Sequence, residues 1–292
     1  MFALILSIIF STLLGVVFKL FGKYKIDIFQ AIVFNYVTCV LVAWTDIGTF
    51  PLRMSSLQAP WFNWAILLGF LFIAGFNLAA QTVRYFGITT GAIMQKMSLG
   101  FTVFYSFWVM GENMNLYKGL GVAAAIFAIF FTNYPTKKTD QKAHIIDWKI
   151  AIPILTLVFA ILIEIIFLVV EKRVATKSAD PVFIATLFGT AAIIGILGLT
   201  TLTLAGKEKI KRKNILAGIV LGLPNYGSIY FMLKALGDNI DASVFFTLNN
   251  VGVIVFAAIL AVFLFKDRFS KYQYFGLALS ILAILLISYG AT

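Results

Sequence analysis

Two ionisable residues stand inside long apolar runs of this 292-residue chain, and chemistry is most readily built from them. Glu164 lies in Ile161-Leu162-Ile163-Glu164-Ile165-Ile166-Phe167, and Lys96 in Ala92-Ile93-Met94-Gln95-Lys96-Met97. An ionisable side chain at the centre of a membrane span costs about 2.5–3.5 kcal/mol on insertion scales, so its presence there points to use. A carboxyl in such a place can take up and release a proton. An amine can neutralise that carboxyl or hold the carboxylate of a solute. The competing account of Glu164 is an acid paired or packed for stability; that of Lys96 is a stem snorkelling toward the interface.

Neutral polar residues form stripes beside these two. Gln95, Ser98, Thr102 and Ser106 recur at spacings of three and four, which sets them on one helical face. Asn77, Gln81 and Arg84 form a second stripe, and Asn225, Ser228 and Met232 a third. Asn249-Asn250 and Asn35-Tyr36 fall within other apolar runs, and Tyr226 follows Pro224-Asn225 in a run that the proline should bend. Polar groups in hydrocarbon need partners. Interhelical hydrogen bonding satisfies them as well as a solute would, but several stripes in one small bundle favour a polar cavity.

The elements that must position these residues follow from composition. Hydrophobic residues make up 61% of the chain and charged ones 12%, against about 45–50% and 25% in soluble domains. Too few charges remain to coat a water-soluble fold, so the surface must face lipid. At roughly 20 residues per crossing, the sequence divides into ten apolar runs: 2–22, 27–45, 61–86, 89–111, 115–134, 149–171, 181–205, 213–236, 241–265 and 271–290. The predicted fold is an all-α membrane protein of ten transmembrane helices. No basic region or small-residue cleavage site precedes Lys19, so the first helix is expected to stay. Trp44, Trp61, Trp64 and Trp148 fall near span ends as interfacial residues, with Trp108 nearer a span interior.

The net charge of +11 is spread singly or in short runs between apolar segments, a membrane-flanking pattern rather than a nucleic-acid face. Cys39 and His144 are the single cysteine and histidine, which excludes an intrachain disulfide and argues against a Cys/His zinc site. No cofactor is expected, and no phosphate-binding Gly-x4-Gly-Lys motif supports drive by ATP.

The halves resemble each other. Val83-Arg84-Tyr85-Phe86-Gly87 closes the third run and Leu233-Lys234-Ala235-Leu236-Gly237 the eighth, 150 residues later. Gly111-Glu112 stands nine residues before Gly121, and Lys266-Asp267 nine before Gly276. Two five-helix units in one chain enter the membrane from opposite sides because five is odd. The expected organisation is therefore a repeat over 1–134, a linker over 135–148 and an inverted repeat over 149–292, a design that suits alternating access.

Arg84-Tyr85-Phe86-Gly87-Ile88-Thr89-Thr90-Gly91-Ala92 resembles a junction of the drug/metabolite transporter superfamily in its ten-helix, EamA-type branch. Leu233 to Gly237 with Asp241-Ala242-Ser243 is similar in the second half, and Glu112 and Asp267 match the family's acidic ending of the next helix. The resemblance implies transport of small metabolites, often by export. Two features depart from it: Ser11-Thr12 replaces the usual Trp-Gly of the first span, and the fourth-span proline is absent. Glu164, eight residues before Lys172, also resembles the first helix of small multidrug resistance proteins, where the glutamate binds proton and substrate in turn. The matching place in the first half is Ser11, so only one half carries the acid.

The expected function is a secondary transporter of a small organic solute in the inner cell membrane, with protons as a candidate partner and a monomer or homodimer as the assembly. The alternatives are a membrane-embedded enzyme acting on a lipid-linked substrate, or a regulator without turnover. The expected site comprises Glu164, Lys96, Gln95, Ser98, Asn77, Gln81, Asn35, Tyr36, Asn225, Tyr226, Asn249 and Asn250. Lys and Arg concentrate in the odd-numbered connections, which places both termini outside by the positive-inside rule, whereas the family resemblance implies both inside.

Overall fold

The computed structural model describes residues 1–49, 54–86, 88–133, 148–174, 179–238, 240–266 and 269–291. Its elements are helices: α1 (Phe2–Tyr24), α2 (Ile28–Ile47), the short α3 (Met54–Leu57), α4 (Phe62–Phe86), α5 (Ile88–Lys96), α6 (Ser98–Trp108), α7 (Leu116–Thr132), α8 (Ala151–Val169), α9 (Pro181–Leu204), α10 (Arg212–Gly237), α11 (Ala242–Phe265) and α12 (Lys271–Gly290). A π-helical turn, Val170–Val174, extends α8. Among the described residues, eight helices are long and apolar enough to cross a membrane, and α7 is a shorter apolar helix. The fourth predicted run supplies α5 and α6 in place of one continuous helix, which brings the arrangement to ten spans.

Helix starts follow from side chains that accept otherwise unbonded first-turn amides. Asp27 accepts from the Gln30 amide at the head of α2, Asn115 from Lys118 at α7, and Asp180 from Val182 at α9, where Pro181 takes the first position. Ser270 and Gln273 form a reciprocal capping box on α12. The Glu112 carboxylate caps α11 from a distant part of the sequence, accepting from the Ala242 amide and, at 3.0 Å, from that of Ser243.

The chain forms two compact units, Met1–Ala74 with Ile166–Asn239, and Gly75–Ile165 with Ile240–Thr292. In the first unit, α10 packs against α1 and α2, and α2 against α9. Gly218 and Gly222 make the α2 contact: a Cβ on Gly222 would stand 2.5 Å from the Thr38 Cβ and 2.8 Å from the Asn35 carbonyl oxygen. The Gly218…Gly222 spacing thus works as a small-residue packing seam. Phe10 stacks on Phe231 at 5.6 Å, and Tyr36, Phe72, Phe167 and Phe188 form a buried aromatic cluster. Trp61, expected at an interface, is buried edge-on against Phe183 in this unit.

In the second unit, α7 and α12 lie in close contact, and α11 packs on α12, α6 and α7. Gly276 again permits close approach, since its Cβ would fall 2.6 Å from the Thr132 amide nitrogen. At one end the buried Lys118 donates to Asp241 at 2.6 Å and to the Asn113 carbonyl at 3.1 Å. Trp108 is 71% exposed and stacks on Phe104. The 135–148 linker, Asp267 and the Arg84, Thr89, Thr90 and Ala92 side chains of the family-like junction lie outside the described residues, except for backbone Trp148.

Candidate functional site

The second unit contains both intramembrane charges and a tightened helical turn next to them. The regular α-helix of the fourth span gives way to one tighter turn at Met97, which keeps helical backbone angles (φ −68°, ψ −13°) and its amide bond to the Ile93 carbonyl at 2.8 Å: α5 ends on Lys96 and α6 begins on Ser98. No proline stands there, and Gly100 follows in the first turn of α6. The Ser98 hydroxyl donates back to the Gln95 carbonyl at 2.8 Å, a local bond that competes with regular helix, and the Gly100 amide reaches the Met97 carbonyl in a tighter, three-residue turn.

Lys96 stands just before this turn and donates to the Asn250 side-chain oxygen of α11 at 2.8 Å. Asn250 is itself held by a bond to the Phe246 carbonyl at 3.0 Å. Past the turn, Thr102 donates to the Glu164 carboxylate of α8 at 2.6 Å. Ser98, on the same face of α6 as Thr102, also stands close enough to Glu164 to hydrogen-bond it. Lys96 and Glu164 influence each other electrostatically, but the ammonium bonds to the asparagine rather than to the acid.

The Thr102 hydroxyl has a second acceptor in reach, the Ser98 carbonyl at 3.1 Å. A hydroxyl has one proton to give. The ionised carboxylate, at 2.6 Å, takes it through a short charge-assisted bond. A protonated Glu164 would become the donor, and the threonine would turn its proton to Ser98. The pair of acceptors lets one side chain satisfy either protonation state.

The expected residues therefore divide. Glu164, Lys96, Ser98 and Asn250 come together in the second unit, with Asn77 and Asn249 half-buried in it, while Gln81 and Gln95 are exposed. In the first unit, Asn225 donates to Asn35 at 3.1 Å, and the Cys39 thiol reaches the Gly222 carbonyl at 3.4 Å. Tyr226 donates to Asp46 at 2.9 Å, whereas Tyr36 belongs to the aromatic cluster. Pro224 is buried within α10, which continues on both sides of it. Lys172, eight residues past Glu164, is exposed in the π-helical turn.

Sequence reasoning missed several pairings. Thr102 registered only as one member of a stripe, and nothing in the sequence marks it as the partner of Glu164. Lys118 and Asp241 are 123 positions apart, and Asp46 and Tyr226 are 180 apart. Gln30 is buried and links α2 to Asn214 at 2.8 Å and Glu208 at 3.1 Å. Lys118, Asp241, Asp46 and Gln30 share one local signal, a polar residue near a span end, which Thr102 and Tyr226 lack.

Residues 151–289 match the model of the EamA-like transporter family. The second half is similar to an EamA-like unit. That match supports membership of the drug/metabolite transporter superfamily, a group of multi-pass membrane proteins that move small solutes. An uncharacterized protein of Haemophilus influenzae is 27% identical over 295 residues, covering 98% of this chain and 97% of its own length. A crystal structure of another protein superimposes with a TM-score of 0.74 over 99% of this chain and 96% of that one, at 14% identity. The whole chain thus shares the fold of that solved structure, and likeness at that identity speaks for the fold alone.

Proposed function

We propose that this protein is a secondary carrier of a small organic solute in the inner cell membrane, working by alternating access of two inverted five-helix repeats and coupled to protons through Glu164. The observation that supports this reading most is the Thr102–Glu164 contact at 2.6 Å beside the tightened turn of the fourth span. A structural acid in lipid would be expected to have a permanent cationic partner. Glu164 instead has a hydroxyl that can serve it as donor or acceptor, so proton binding and release need no rearrangement of the backbone.

In this reading Lys96 receives the anionic group of the solute. Its ammonium has three donors and gives one to Asn250, which fixes its position without neutralising it. Asn77 and Asn249 add neutral polar groups from α4 and α11. The Asn35–Asn225 pair works as glue between α2 and α10. Export is the direction the family resemblance favours.

The test is transport in proteoliposomes, with candidate amino acids, amines and organic acids screened with and without an imposed pH gradient. Wild type should show gradient-driven accumulation of at least one solute. Thr102→Ser should retain it and Thr102→Val should reduce it severalfold, with both variants still folded by size-exclusion chromatography. Equal transport by the valine variant would remove the hydroxyl from the coupling step.

A further inference from the structure

The ends of α1 and α9 meet the starts of α2 and α10 on one face of the first unit. The Lys213 ammonium of α10 donates to the Tyr24 and Lys25 carbonyls that close α1, at 3.1 and 2.8 Å. Buried Gln30, in the first turn of α2, holds the connection between α9 and α10. Its side-chain nitrogen donates to the Lys209 carbonyl and to Glu208, both at 3.1 Å, and its oxygen accepts from the Lys211 amide at 3.2 Å. Asn214, also buried, donates to the same oxygen at 2.8 Å. The connection is therefore anchored to α2 through three of its residues.

This face carries a large excess of positive charge. Segments 19–27 and 205–213 hold eight Lys and Arg against two acids. The connections made at the other end of the unit, 46–61, 171–180 and 234–239, hold five against four. Both acids of the basic face are turned to the protein: Asp27 accepts from the Gln30 amide at 2.8 Å, and Glu208 from the Gln30 side chain. All eight cations are exposed, with Lys207, Lys209, Lys211 and Arg212 on the anchored connection and the head of α10. Leu204 at the end of α9, Ile210 between two of the lysines, and Leu216 in the second turn of α10 are exposed beside them. Cations at span ends flanked by exposed apolar side chains meet both the headgroups and the first carbons of the acyl chains.

We propose that this face binds the anionic phospholipid headgroups of the leaflet it meets, with the anchored connection presenting its lysines to the phosphates and Leu204 and Leu216 lying against the acyl chains. A connection fixed before binding loses less backbone freedom when it binds, so Gln30 acts as the positioning residue of the surface. Charge selects an anionic lipid over a zwitterionic one, and the exposed leucines select a lipid over a soluble phosphate.

Native mass spectrometry of the purified full-length protein tests this, using equal mixtures of phosphatidylglycerol and phosphatidylcholine with identical acyl chains, and glycerophosphate as a headgroup without chains. Each lysine near an anionic surface contributes about fivefold, so wild type should retain phosphatidylglycerol at least about tenfold more strongly, with no competition from glycerophosphate. Lys207→Gln, Lys209→Gln and Lys211→Gln together should lower that preference at least about fivefold. Lys172→Gln with Arg173→Gln, which removes two exposed cations at the other end of the unit, should leave it unchanged. The three lysines are exposed, so the triple variant should fold, and its melting temperature in detergent provides the check. Equal retention of the two lipids by wild type would overturn the proposal, whatever the variants do. A triple variant that keeps the full preference, a control pair that loses as much as the triple variant, or competition by glycerophosphate would overturn it too.

Discussion

The polar centre of the first unit and that of the second are built on opposite plans. Around Asn35, Cys39 and Asn225 every group is neutral and buried, and each bonds to another residue of the same seam, where Gly218 and Gly222 bring α10 against α2. Around Lys96 and Glu164 the groups are ionisable and half-buried, each hydrogen-bonded to a neutral partner, and the fourth span tightens between Lys96 and Ser98. A closed neutral network gains nothing from a ligand, whereas an ionisable pair that is not directly hydrogen-bonded to each other retains the capacity to bind one. Polar residues in a membrane span are thus sorted by charge and by how completely their neighbours satisfy them.

Substitutions can sharpen that contrast, and the largest effect should come from the first unit. Gly222→Leu would drive a side chain into Thr38 and the Asn35 carbonyl, and overpacking of a tight contact costs about 1–3 kcal/mol, occasionally more. We expect loss of folded protein on size-exclusion chromatography; a normal monodisperse peak would show that the seam can relax.

Asn225→Ala should come next, lowering stability by about 1–2 kcal/mol because the Asn35 carboxamide loses its donor. Solute affinity in whatever folded protein remains should be unchanged. A large affinity loss without destabilisation would move this pair from glue to binding site.

Lys118→Met tests a third arrangement. Lys118 is buried, but Asp241 keeps 44% of its side chain exposed, so water can screen the stranded acid. The expected cost is about 1 kcal/mol or less, measured as a reduced midpoint in chemical denaturation. The smallest effect should be the coupling energy of Asn35→Ala with Asn225→Ala in a double-mutant cycle, about 0.6 kcal/mol as for hydrogen bonds in other membrane helices.

Much of the architecture was legible because lipid leaves a polypeptide few options. Apolar length and flanking charge placed α2, α9, α10, α11 and α12 within a few residues of their ends, and Asp27, Asp180 and Ser270 stand where helix caps belong. The tight turn at Met97 was not legible, since no proline marks it and a serine bonding back to the carbonyl three residues earlier, as Ser98 does to Gln95, also occurs within uninterrupted α10 at Ser228. The Glu112 cap on α11 was hidden for another reason: the acid lies 130 positions from the amide it serves. Trp61 illustrates the limit of position as a guide, because a tryptophan near a span end faces the headgroups or, as here, the aromatic core.

Site residues were legible as candidates but not as a constellation. Burial cost singled out Glu164 and Lys96 from one sequence, whereas the contacts that give them meaning, Thr102 and Asn250, join helices 62 and 154 positions apart. Helical periodicity sees one helix at a time. It set Gln95 on the same stripe as Ser98, yet Gln95 is exposed and Ser98 buried.

Glu164→Gln tests the coupling directly, because glutamine keeps the shape and an acceptor for Thr102 while removing the titratable proton. Gradient-driven accumulation of the transported solute in proteoliposomes should fall to the level set by the solute's own gradient, with counterflow exchange and thermal stability retained. Accumulation that still follows the pH gradient in this variant would contradict the assignment of Glu164 as the proton carrier.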